Sequence, residues 1–293
     1  FVRRIAATEV AVACGADAVI EGVGPLIEDD DWRVRAATVV ALEAAWDKRG
    51  VGLLVDQLVR EDGRLLLDMA WALQRMTGKD LGFEGKAWKA WWEANKDTFQ
   101  MPARSKDGKN EGPKGSTKAS FFNVPLLSKR IVFVIDFSGS MKNEDEIYKG
   151  KRKIDAAFEE LEKVLGQMEH GTKVNVIALS TEATVQKKRK VAPRMVEASP
   201  KRVIEAIRGT WKALEEIKRG RGAIYDAVAE GCDELEADTG VLLSDGKPTF
   251  GTYLDRVHIE QALKERHRYQ RVAVHTILIG SKGIDQETME AMA

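Results

Sequence analysis

Residues 131–141 read IVFVIDFSGSM. The run opens as near-pure apolar strand, the pattern of a strand buried on both faces of a parallel sheet. It then meets Asp136, Ser138 and Ser140. A strand buried on both faces has no packing reason to end on a carboxylate followed by two hydroxyls spaced two apart. Gly139 allows a tight loop that gathers these three oxygen-bearing side chains, and hard oxygens gathered in this way suit Mg²⁺, Mn²⁺ or Ca²⁺.

Working outward, residues 121–293 alternate strand and helix. Strand candidates are RIVFVID (130–136), KVNVIALS (173–180), an edge strand at ATVQKK (183–188), TGVLLSD (239–245) and RVAVHTILIG (271–280). Between them, Ile154, Phe158, Leu161, Val164, Leu165 and Met168 keep a helical period. Further helices are expected over 199–217, 223–235 and within 254–270, and a last one begins near the C-terminal end. Alternation with right-handed crossovers predicts a doubly wound α/β domain. Ligands of such sheets bind at the carboxyl ends of the strands. Two of the candidate strands end there in acid, at Asp136 and at Asp245, and the GKPT turn after Asp245 would hold its carboxylate in place.

VIDFSGSM and LLSDGKPTFG, with IYDAV between them, resemble the von Willebrand factor A (vWA) domain, a Rossmann-like fold. The resemblance spans about residues 125–293. It implies a metal-ion-dependent adhesion site in which an Asp-x-Ser-x-Ser loop, a Thr from a second loop and an Asp from a third hold a divalent cation. A carboxylate of a partner typically completes the shell. Carried over by residue, the ligands are Asp136, Ser138, Ser140 and Asp245, with Mg²⁺ the expected cation and Mn²⁺ or Ca²⁺ alternatives. The second loop departs from the family pattern. Gly222 stands where the Thr belongs, and Arg221 brings a cation nearby. One protein ligand is missing, and a guanidinium beside a divalent ion costs affinity.

The first 99 residues read as recurring short helices. Ala6-Ala7-Thr8 returns as Ala36-Ala37-Thr38, a shift of 36 − 6 = 30, and Ala41-Leu42 returns as Ala72-Leu73, a shift of 72 − 41 = 31. Each unit pairs an A-helix (AVIEGVGPLI, VGLLVDQLV) with a B-helix (DWRVRAATVVALEAA, GRLLLDMAWALQRM). Two-helix repeats at this period predict an all-α solenoid, and DDDWRVRAATVVALEAA resembles HEAT repeats. Trp88, Trp91 and Trp92 share one helical face and read as a capping helix over the last repeat. Residues 100–120, rich in Pro, Gly, Ser and charge, read as a linker. GPKGST within it has the wrong residue order for a phosphate-binding loop, so nucleotide binding is rejected there.

Lys plus Arg and Asp plus Glu both number 46 in 293 residues, so no net charge draws the chain toward nucleic acid or an anionic membrane. KKRK (187–190) reads as a solvated strand end or hairpin. No apolar run reaches the roughly 18 residues of a membrane span. Cys14 and Cys232 lie in apolar helical patterns and read as small buried hydrophobes. The four histidines lack ligand spacing, and His275 reads as a packed residue of the last strand. The chain reads as a piece of a longer one, with its last helix cut short and its compartment open, whether exported or cytoplasmic. The expected function is a non-enzymatic interaction protein, a scaffold. It would bind a protein partner, through an acidic residue, at the metal edge, with the repeats as a second surface. The alternatives are a metal-dependent hydrolase using Asp136 and Asp245, for which neither loop supplies a His or Glu base, and a degenerate site that serves only structurally.

Overall fold

A computed structural model describes residues 1–104, 119–180, 190, 192–215, 221–234, 236–246, 248–281 and 286–292. The chain divides into two compact units, Phe1–Ser116 and Thr117–Ala293. The expected linker falls almost entirely outside the described residues, as does the GPKGST run. The expected edge strand at 183–188 also lies outside them.

The first unit is helical. It contains α1 (Val2–Cys14), α2 (Trp32–Ala45), α3 (Lys48–Leu58), α4 (Arg64–Thr77) and α5 (Gly85–Asn95). Asp31 and Asp47 cap α2 and α3, each accepting a hydrogen bond from the backbone N–H two residues on. Residues 18–27, expected as a regular A-helix, instead fall in a π-helical turn (Ala18–Val23) and a 3₁₀ turn (Gly24–Glu28). Gly22 and Gly24 weaken helical order there. Pro25 has no N–H to give, so the helix cannot run through. Cys14 is exposed rather than buried, because it ends α1 beside Gly15, where the helix leaves the core.

In this unit α2 packs on α1 and α4, and α3 packs on α4 and α5. Ion pairs join residues at a nearly constant separation. Asp17–Arg49, Glu28–Arg60 and Glu43–Arg75 are each 32 apart, and Asp56–Lys89 is 33 apart. These separations are one to three residues longer than the 30- to 31-residue shift read in the sequence. Trp88 and Trp92 are buried at the end of the core, while Trp91 is half-buried against Phe99.

The second unit carries a five-stranded sheet. Its strands are β3 (Arg130–Asp136), β6 (Lys173–Leu179), β7 (Val196–Glu197), β8 (Thr239–Ser244) and β9 (Ala273–Leu278), in the order β7-β6-β3-β8-β9. All pairs are parallel except β6–β7, which makes the sheet mixed. Two short hairpins, β1–β2 (Ser120–Phe121, Val124–Pro125) and β4–β5 (Glu144–Asp145, Lys151–Arg152), were not signalled by the sequence pattern.

Helices cover both faces of this sheet, and β3 sorts its side chains between them by the period of two. Ile131, Phe133 and Ile135 join a core with α6 (Lys153–Gln167) and α7 (Pro200–Glu215). Val132 and Val134 join another with α8 (Ile224–Cys232), α9 (Arg256–His267) and α10 (Gln286–Met292). His275 is only half-buried, because β9 is an edge strand. Strand β3 therefore lies at the middle of the sheet. The chain adds β6 on one side of it and later crosses to add β8 on the other, which makes the carboxyl end of β3 a topological switch point.

Candidate metal centre

Four charged side chains are buried among the described residues: Asp136, Asp145, Asp245 and Lys153. Asp136 ends β3, Asp245 follows β8, Asp145 lies in the β4–β5 hairpin after β3, and Lys153 opens α6. Burying an unpaired charge is among the largest costs a fold can carry, so their gathering at one place needs a chemical reason.

Asp136 ends β3 and is 2% exposed. Its Oδ1 accepts from the Ser138 N–H at 2.7 Å, which closes the turn after the strand. Its Oδ2 accepts from the Ser244 hydroxyl at 2.5 Å. That contact follows from register: Ile135 pairs with Leu243, so the next residues of the two strands are neighbours. Burial pushes the Asp136 carboxyl up to about 6, against the pull of these hydrogen bonds and with a further push from the Asp245 charge.

A chain of contacts carries the loop across to the third strand end. Ser138 and Ser140 hydroxyls lie 2.9 Å apart, and the Ser140 hydroxyl donates to Asp245 Oδ1 at 2.8 Å. The structure thus brings together Asp136, Ser138, Ser140 and Asp245, the four residues singled out in the sequence. Two carboxylates and two hydroxyls form a hard-oxygen donor set of the kind Mg²⁺ and Mn²⁺ take, with waters to fill the remaining positions. Among the described residues, no group of three or more His, Cys, Asp or Glu side chains is gathered as a metal site. The donor set here depends on its serines.

Gly222 is buried, and its N–H donates to the Thr249 hydroxyl at 3.0 Å. Its carbonyl accepts from the backbone N–H groups of Thr249 and Phe250. These bonds tie the loop before α8 to the loop after β8 and set the Thr249 hydroxyl against the Gly222 backbone. Farther along, Asp226 accepts from both the N–H and the hydroxyl of Thr252, which ties the same two loops again. Arg221 is exposed.

Sequence reasoning missed Ser244, Thr249, Lys153 and Asp145. Strand register signals the first, and the quoted GKPT run already contains the second. Lys153 opens α6, and its ammonium lies 2.6 Å from Asp245 Oδ2, with the two side chains 7% and 5% exposed. Asp145 accepts the backbone N–H and hydroxyl of Ser281 at 2.9 and 3.0 Å. Its hydrogen bonds, that from the Ser281 N–H foremost, hold its carboxyl below the usual range.

Compared with protein-family models and with curated proteins, the chain finds no match. Its class therefore rests on the fold and site just described: an α/β unit with an acidic, hydroxyl-lined strand edge, preceded in sequence by a helical unit. Among the described residues no helix is long and apolar enough to cross a membrane.

Proposed function

We propose that the α/β unit is a vWA-like module that holds a divalent cation, Mg²⁺ foremost, through Asp136, Ser138, Ser140 and Asp245. In this proposal the cation takes an acidic side chain of a partner protein, and the HEAT-like helical unit offers a second interaction surface. The observation that carries the reading is the buried charge. Asp136, Asp145 and Asp245 against Lys153 leave a formal 1 − 3 = −2 at one buried edge, which one divalent cation would offset. When bound, the ion would supply a positive centre with exchangeable positions for a carboxylate oxygen. The protein's own groups fix the geometry: the Ser138 N–H and Ser244 hydroxyl orient Asp136, and the Ser140 hydroxyl orients Asp245. Phe250, Leu254 and Val257, exposed on the segment after Asp245, suit contact with a protein surface.

Calorimetric titration with Mn²⁺ tests the reading. The parent chain should release or absorb binding heat, and Asp136→Ala should abolish it. A partner whose affinity ignores both EDTA and Asp136→Ala would sink metal-mediated binding. One observation favours a second reading, a strand edge kept only as loop architecture, because Lys153 already meets Asp245. Absence of Mg²⁺ and Mn²⁺ heat in the folded parent and in its lysine variants would select it.

A further inference from the structure

We propose that Lys153 is a resident counter-cation of this centre, one that holds Asp245 when no divalent ion is bound and competes with the ion for it. The inference rests on the metal reading above and adds its regulation. Asp245 spends one oxygen on the Ser140 hydroxyl and the other on the Lys153 ammonium, 2.6 Å away. A divalent cation that draws on Asp245 must therefore share that carboxylate with a buried positive charge, and like charges this close in a poorly solvated site repel strongly.

The fold builds this lysine in. Its backbone N–H donates to the Asn143 carbonyl, which fixes the start of α6 beneath the first loop. Gly280, just past β9, has φ +115°, and a Cβ there would stand 2.8 Å from Lys153 Cε and 3.0 Å from its ammonium. The lysine tip thus lies in the space that a side chain at 280 would enter. The same point lies 3.3 Å from Asp145 Oδ2. Asp145 Oδ2 accepts from Ser281, and in this proposal the ammonium turns toward that second buried carboxylate when a divalent ion takes Asp245. No bond is made or broken in this exchange; the ammonium passes from one carboxylate to another.

The test titrates Mn²⁺ into the parent chain, Lys153→Met, Lys153→Gln and Asp145→Asn by calorimetry, with thermal melts in EDTA and in Mn²⁺. Both lysine variants should bind Mn²⁺ at least about tenfold tighter than the parent, from removal of the competing charge. They should melt lower than the parent in EDTA and recover in Mn²⁺. Asp145→Asn, which removes the second negative charge, should bind Mn²⁺ more weakly. Glutamine can still donate to Asp245, so Lys153→Gln decides the matter if the methionine variant fails to fold. Parent-like or weaker affinity in a folded lysine variant overturns the competition and leaves the metal reading standing. No heat from parent or either folded variant overturns the metal reading, and this inference with it.

Discussion

At the scale of single residues, Asp136 and Ser244 carry the candidate site because adjacent parallel strands place them side by side. The hydroxyl then satisfies a carboxylate that water cannot reach. Position 222 is the clearest residue-level test of the site. Gly222→Thr restores the side chain that the family resemblance expects there, so divalent affinity should rise; unchanged titration heats would mean that position 222 does not face the ion. His267 makes a separate prediction. Its Nε2 is buried without a hydrogen-bond partner among the described residues. Burial pushes its pKa down to about 4, with Arg266 lowering it further and Asp233 opposing. Unfolded histidine protonates near pH ~6.5. Between that pH and about 4 the unfolded chain therefore holds the extra proton, and stability falls as pH falls through this window. Above it His267 contributes no pH dependence. His267→Gln should flatten melting temperature against pH between those limits; a profile superimposable on the parent's would clear His267 as the cause.

At the scale of elements, close backbone approach and aromatic burial decide how α5 seals the helical core. A Cβ on Gly85 would stand 2.8 Å from Val59 Cα and 2.9 Å from the Leu58 carbonyl oxygen, both backbone atoms that cannot swing aside. Gly85→Ala should therefore cost on the order of 1–3 kcal/mol, as overpacking does. Trp88 is fully buried, and its indole N–H donates to the Gly82 carbonyl at 2.8 Å. Trp88→Ala should cost about 3–5 kcal/mol, read as a lowered urea midpoint at unchanged slope. By contrast, breaking the exposed Glu28–Arg60 rung should shift the midpoint by less than about 1 kcal/mol, because both partners are well solvated. The A-helix expected at 18–27 teaches the complementary lesson: apolar spacing there favoured a helix, but Gly22, Gly24 and Pro25 governed the backbone.

At the scale of the whole molecule, each unit has a core of its own: one cluster in the helical unit, and two, on opposite faces of the sheet, in the other. The candidate metal residues all belong to the second unit. Deleting residues 1–104 should accordingly leave Mn²⁺ affinity within about twofold, with ~0.4 kcal/mol the corresponding free-energy limit. A larger loss in a folded fragment would show that the helical unit contributes to the site.

The sequence by itself determined the central strand, the helical periods around it and the 30-residue rhythm of the first unit. These are local patterns, since burial on two faces writes an apolar run and a covered helix face writes a period near four. It also marked Asp136, Ser138, Ser140 and Asp245, because oxygen side chains at strand ends stand out against apolar surroundings. Only the tertiary structure decided what surrounds them. Lys153 lies 92 residues from Asp245, and Ser244 lies 108 from Asp136. Gly280 matters solely for the space it leaves beside a lysine on another element. No local pattern records such meetings, because strand register and helix placement create them, and with them the charge balance that a divalent ion would have to enter.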